Sequence, residues 1–279
     1  ENALPRIIIE TKATGAISAI EFSEEAYDLS LGAMGQYDTN TLRFTYASMT
    51  TPMQTTDYDM DTGSRVLRKS QNVPSGHDPA NYVTRRISAT SHDGAEVPLS
   101  VVYHRDTPLD GSAPVLLYGY GAYGITIPAS FSVTRLSLVE RGFIYAIAHI
   151  RGGKACGHNW FMQGRGPKKT NSFEDFAAAA RTLIARGWTK PGNITIHGGS
   201  AGGLLDQALT TGTFTDAALA RLEALPSILF GGFFLQAPMA FAAFILGLRA
   251  SRARLLAQPS DHLSPVSYTH LTLPTKRIV

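Results

Sequence analysis

Gly198-Gly199-Ser200-Ala201-Gly202 follows a short β-branched run in the stretch NITIHGGSAGG (193–203). The spacing is G-x-S-x-G. On a sharp strand-to-helix turn, glycines at these positions remove side chains that would clash. The serine is forced into a strained backbone conformation, and its hydroxyl stands above the carboxyl edge of a sheet. The same turn aims the amide of Ala201 at the oxyanion that forms when a serine attacks a carbonyl. Ser200 is therefore the candidate nucleophile of an acyl-transfer reaction. The competing reading is a glycine-rich turn that holds a serine by chance. The strand before it and the helix-compatible residues after it favour the nucleophile.

A serine nucleophile needs a general base and an acid to orient that base. On this kind of turn they follow in the order Ser, Asp/Glu, His. Beyond Ser200 the sequence offers Asp206, Asp216, Glu223 and Asp261, then His262 and His270. Asp261 and His262 are neighbours whose side chains point apart. His270 lies in a tail, SYTHLTLPTKRIV, with no clear element. Of the histidines before the serine, His197 ends the strand and reads as structural. Residue types and spacing thus give a nucleophile and leave its base open.

The surrounding elements read as two textures. Up to about residue 70 the chain is β-rich. TLRFTYASM (41–49), TTDYDM (55–60) and DTGSRVLRKS (61–70) are short strands joined by polar turns, as in a sandwich or a propeller blade. No second copy of the pattern is found. QNVPSGHDPANY (71–82) is polar and contains two prolines, and it marks a boundary. Beyond it, VTRRISATSHDGAEVPLSVVYH predicts a hairpin turning at Asp93-Gly94. Apolar strands at VLLY, FIYAIA and NITI then alternate with helices at SFSVTRLSLVERG and SFEDFAAAARTLIARG. The second helix takes Ser172 as its N-cap, with acids in the first turn and Gly187 at its end. Apolar strands alternating with helices predict a parallel α/β sheet.

Composition excludes several classes. The 279 residues are 44% hydrophobic and 17% charged, enough to bury a core. A formal charge of +3, from 25 basic and 22 acidic residues, is too balanced for nucleic acid or an acidic membrane as partner. The uncharged stretch 224–248 is long enough to span a bilayer. Pro226, Pro238 and Gln236 interrupt it, and it reads as buried sheet and helix. The lone cysteine, Cys156, permits no disulfide framework or cysteine zinc site within one chain. It fits a reducing, cytoplasmic compartment. No metal set converges by spacing and no cofactor is expected. GYGAYG lacks the acid that a dinucleotide fingerprint needs, and RGPKK (165–169) reads as a solvated charge run. The start, ENALPRIIIETK, carries no initiator Met and no signal-peptide pattern, so a piece of a longer chain is expected.

LLYGYGAYG, LVERGFIYAIAHIRGG and GGSAGGLL together resemble the prolyl oligopeptidase family of serine peptidases, in its oligopeptidase B (protease II) branch. FSEEAYDLSLG, DTNTLRFTYASMTTP, DYDMDTG and VPSGHDPANYVTRR point the same way. The likeness runs from Ile20 to about Leu205. It implies the front half of an α/β-hydrolase domain preceded by the end of a β-propeller. The division is residues 1–70 in the propeller, 71–81 as linker, 82–265 as partial catalytic domain and 266–279 as a tail of separate origin. It implies Ser200 as nucleophile, with the Tyr120 hydroxyl and the Ala201 amide binding the oxyanion. The substrates it implies are short peptides cut after Arg or Lys. Departures are Pro128 and Ser130 where the family has an acidic pair, and Lys154, Ala155 and Cys156 where it has Gly, Glu and Leu. The family's catalytic Asp and His are expected beyond this chain, which would leave it inactive alone. An esterase of the same fold and a non-catalytic product are the alternatives.

Overall fold

A β-meander is the first large element of the computed structural model, which describes residues 3–32, 38–203 and 205. A small antiparallel hairpin, β1 (Ile8–Thr11) and β2 (Ala16–Ala19), precedes it. The meander runs β3 (Tyr27–Leu31), β4 (Thr41–Ser48), β5 (Gln54–Asp59) and β6 (Arg65–Ser70), each strand antiparallel to the next. Alternation along β4 turns Phe44 and Tyr46 inward, where Phe22 and Tyr27 meet them. Arg43 lies directly across from Asp57, whose carboxylate accepts from Arg43 at 2.6 and 2.8 Å and from Arg68 at 2.7 Å. Those guanidiniums hold the Asp57 carboxyl down at about 2. The turn after β5 places Gly63 at φ +73°, as its Asp-Thr-Gly sequence predicts.

The second sheet has the order β11-β9-β10-β8-β7. Its members are β7 (Tyr82–Thr90), β8 (Glu96–His104), β9 (Val115–Gly119), β10 (Ile144–Ala148) and β11 (Ile194–His197). The strands β9, β10 and β11 are mutually parallel, and β7 and β8 form the predicted hairpin, with Gly94 at φ +82° in its turn. From β9 the chain passes through α1 (Val133–Val139) to β10. From β10 it passes through α2 (His158–Met162) and α3 (Thr170–Ala185) to β11, on the other side of β9. Val139 of α1 packs with Val102, Tyr145 and Ile147 on one face. Phe176, Ala179 and Leu183 of α3 pack with Leu117, Val101 and Ala146 on the other. The chain moves from β9 to β10 on one side and then back past β9 to β11 on the other, and it is at the carboxyl ends of strands beside such a reversal that open α/β sheets form a crevice.

Two local expectations are corrected. The long helix begins at Thr170, so Ser172 lies inside it, fully buried, and no acid falls in the first turn. The Ser172 hydroxyl serves a tertiary contact instead, donating to the Arg151 carbonyl at 2.7 Å. Strand β11 is not apolar throughout: Thr195 and His197 are exposed, because β11 is the outermost strand of the described sheet. Ser132, not among the expected caps, caps α1 by accepting from the Arg135 amide, and Gly187 closes α3 at φ +71° as expected. No described helix is long and apolar enough to cross a membrane, and the stretch 224–248 lies outside the described residues.

Candidate active site

Ser200 sits where β11 gives way to a single 3-10 turn, Ser200–Gly202. Its φ is +54°, a conformation that costs an ordinary residue of order 1–3 kcal/mol. The neighbouring glycines explain how the turn closes. A Cβ on Gly198 would lie 2.2 Å from the Gly202 carbonyl oxygen, and one on Gly202 would lie 2.7 Å from the Gly119 carbonyl oxygen. Only bare backbone fits there, so the turn is wedged against the end of β9. The Ser200 side is exposed and Gly202 is buried.

Tyr120 follows β9 directly, and its Cα is 3.2 Å from the position a Gly202 Cβ would take. The structure thus brings the Tyr120 backbone against the Ser200–Gly202 turn, as their register on neighbouring parallel strands requires. Ala201 lines a cavity of about 430 Å³ together with Ala122, Tyr123, Gly152, Phe161, Gly164, Arg165 and Lys169. Three backbone segments interlock at its wall. A Cβ on Gly152 would lie 2.0 Å from the Gly121 oxygen, and one on Gly164 would lie 2.1 Å from the Gly152 nitrogen. Gly152 itself is at φ +91°.

The wall is pinned from behind by ion pairs. Arg151, 3% exposed, reaches Asp175 of α3 at 2.6 Å and Asp93 of the hairpin turn at 2.5 Å. The backbone amide of Arg151 also donates to Asp175, at 2.9 Å. Contact with Arg151 holds the Asp93 carboxyl down at about 2, and the paired carboxylates hold the guanidinium well above its usual range despite burial.

The charge run at 165–169 is not solvated throughout. Lys169 is half-buried, and its ammonium donates to the Gly121 carbonyl and lies 3.3 Å from the Ser172 hydroxyl. Burial pulls its pKa down to about 8. Run composition gave no sign of this, since Arg165 and Lys168 beside it are exposed.

No described histidine presents itself as the base. His104 pairs with Asp106 at 3.7 Å, but at the end of β8 that lies beside the start of β10, the opposite edge from Ser200. His197 packs its ring 5.5 Å from that of Tyr118. His149 is buried, with Nε2 2.9 Å from the Ser100 hydroxyl and Nδ1 without a hydrogen-bond partner among the described residues. Burial first, and then the Arg86 charge, push it from 6.5 to about 3. The unfolded chain therefore takes up this proton as pH falls through 6.5, while the folded chain refuses it until about 3. Its share of stability is intact above 6.5 and lost on acidification. Denaturant melts are expected to show a loss of roughly 2 kcal/mol between pH 6.5 and about pH 5 that His149→Gln removes. The later candidates, Asp206, Asp216, Glu223, Asp261, His262 and His270, lie outside the described residues. Among the described residues no group of three His, Cys, Asp or Glu gathers as a metal site.

Comparison with known proteins places this arrangement. Residues 1–71 match the model of the prolyl oligopeptidase N-terminal beta-propeller domain, and residues 129–219 match that of the prolyl oligopeptidase family. Dipeptidyl aminopeptidase BI of Pseudoxanthomonas mexicana is 40% identical over 75% of this chain and 29% of its own length. Protease 2 of Moraxella lacunata is 35% identical over 74% of this chain and, again, 29% of its own. Among solved structures, oligopeptidase B from Trypanosoma brucei with covalently bound antipain, in its closed form, superposes with a TM-score of 0.68 at 39% identity. That match covers 74% of this chain and 30% of the other. The chain thus spans less than a third of the length of the relatives it matches. Its meander is the end of a β-propeller and its second sheet the front half of an α/β-hydrolase domain. With both family models matched in chain order around one glycine-flanked serine turn, the chain belongs to the prolyl oligopeptidase family.

Proposed function

We propose that this chain carries the nucleophile side of a serine peptidase active site. Ser200 attacks the peptide carbonyl, and the Ala201 amide and Tyr120 hydroxyl bind the oxyanion. The observation that carries the reading is Ser200 at φ +54° on a turn wedged by Gly198 and Gly202 at the crevice of the sheet. Attack would form an acyl-enzyme with release of the amine half of the peptide, and water would then release the acid half. The substrates proposed are short peptides cut after Arg or Lys, in keeping with the oligopeptidase B likeness, and the compartment proposed is the cytoplasm. The domain division proposed is propeller to residue 70, linker 71–81 and catalytic domain from residue 82 to 265. Within the linker, His77 Nε2 meets the Thr50 carbonyl at 2.5 Å, and Glu25 of the preceding segment accepts from Arg85 at 2.9 Å.

An organophosphonate probe for activated serines tests the reading, applied to a longer chain that supplies the expected Asp and His. The adduct is expected on the peptide containing Ser200 and on no other serine. Tyr120→Phe is expected to slow its formation by about tenfold to a hundredfold, since an oxyanion donor is lost. An unlabelled Ser200, or labelling spread over surface serines, overturns the reading.

A further inference from the structure

Arg165 and Lys169 border the cavity beside Ala201, with Lys154 near the Phe161 ring of its wall, and among the described residues none of the three forms an ion pair. Lys169 and Arg165 line it directly. The Lys154 ammonium and the Arg165 guanidinium lie 5.8 and 5.2 Å from the centre of the Phe161 ring, which forms part of the same wall. The Lys154 stem lies across Gly124, whose added Cβ would come within 2.9 Å of it. Among the described residues no acidic side chain lines it.

Most surface lysines stay in water, where an unpaired ammonium costs nothing. Lys169 does not. It is half-buried, and its partners are a carbonyl and a hydroxyl, which solvate the charge without neutralising it. At neutral pH it is still mostly protonated, its pKa lying near 8. The Ala122 and Phe161 side chains supply the apolar part of the lining beside the cations. A volume of about 430 Å³ suits one side chain or one chain end of a peptide.

We infer that this cavity is a subsite for a carboxylate of a bound peptide, an acidic side chain or a terminal carboxylate, held by Lys169 and Arg165. The inference rests on the reading of Ser200 as the residue that attacks the peptide, because Ala201 makes the cavity contiguous with that turn. A basic side chain would bring a further positive charge to the two that line the cavity. An Arg or Lys at the cleavage point must therefore be read by acids on other residues, and the carboxylate subsite takes a different position of the same peptide.

The test is fluorescence anisotropy of the full chain with dansyl-tagged tripeptides alike except at their last residue. The four are Gln-amide, Glu-amide, Gln with a free carboxylate, and Lys-amide. At least one carboxylate peptide is expected to bind about tenfold more tightly than Gln-amide, with Lys-amide the weakest and the preference shrinking as salt rises. Glu-amide winning assigns an acidic side chain, and free Gln winning assigns the chain end. Lys169→Met is expected to erase the preference and Lys169→Arg to keep it. Arg165→Gln, at an exposed position that tolerates change, is expected to reduce it about threefold should the Met variant fail to fold. Equal binding of the four peptides, no binding, tighter binding of Lys-amide, or a preference that survives both charge-removing variants overturns the inference. Organophosphonate labelling of the same variants, made in a longer chain that supplies the expected Asp and His, separates the two readings. A labelled Ser200 without carboxylate preference sinks this one alone. A preference without a labelled Ser200 sinks the nucleophile and leaves the charged cavity standing.

Discussion

In a longer chain that supplies the expected Asp and His, Ser200→Gly is expected to abolish peptide turnover and, at the same time, make the protein more stable. Turnover should fall by about 10³-fold or more, because without the nucleophile only binding and the oxyanion donors remain. Stability should rise by about 1 kcal/mol. The serine is held at φ +54°, where a residue with a Cβ pays of order 1–3 kcal/mol and glycine pays almost nothing. The greater freedom of glycine in the unfolded chain takes back roughly 0.5–1 kcal/mol of that. Ser200→Ala is the companion variant. It removes the same hydroxyl but keeps the Cβ in the left-handed region, so turnover falls equally and stability does not rise. A serine that merely occupies a turn predicts a gain in stability with no loss of activity. Thermal melts and peptide hydrolysis on the two variants therefore decide between a strained nucleophile and a turn. Equal stability of the Gly and Ala variants would show that the strain is absent.

The turn was legible in the sequence because everything that makes it is local. Ile194-Thr195-Ile196 can only be a strand beside those glycines, and Gly198 and Gly202 sit at the spacing where two backbones must touch. The hairpin turn at Gly94 and the glycines that close the two helices, Gly142 and Gly187, were legible for the same reason. Tyr120 was different: composition and spacing gave it no role, and only the family likeness singled it out. What lay beyond reach were pairings between distant segments. Ser172 looks like an N-cap because its type and place in the pattern are right. Its hydroxyl is spent on the Arg151 carbonyl, 21 residues away, and the helix starts two residues earlier. Lys169 looks solvated because its neighbours are. Its ammonium is instead folded under the Gly121 carbonyl, a contact 48 residues apart in sequence. A charge run names which residues are ionised, but only the fold decides which one is taken out of water.

The ion-pair network behind the cavity carries the second large effect. Arg151→Met is expected to destabilise the fold by about 3–5 kcal/mol, a large fraction of a typical domain's total. The reason is not the attraction lost but the charge left behind. Asp175 is 0% exposed and would keep a carboxylate whose remaining donors are the Ser91 hydroxyl and the Arg151 amide. Asp175→Leu is expected to cost about as much, because it leaves the buried guanidinium with Asp93 as its counter-charge at the rim and orphans the Arg151 amide together. The double variant Arg151→Met/Asp175→Leu removes both charges and should be markedly more stable than the sum of the single losses predicts. Urea midpoints on the four proteins measure the coupling. Additive losses would mean that the pair contributes only packing. The consequence for the site follows from the backbone. Arg151 donates its amide to Asp175 and lends its carbonyl to Ser172, and Gly152, the next residue, has no room to move against Gly121. A strand end freed from α3 would shift the cavity wall that Gly152 forms with Ala201 and Lys169. In the double variant, where the charge problem is gone but the amide is still unheld, stability recovers and peptide binding stays weak. That split between a recovered melt and an unrecovered affinity distinguishes a network that places the wall from one that only holds the fold together.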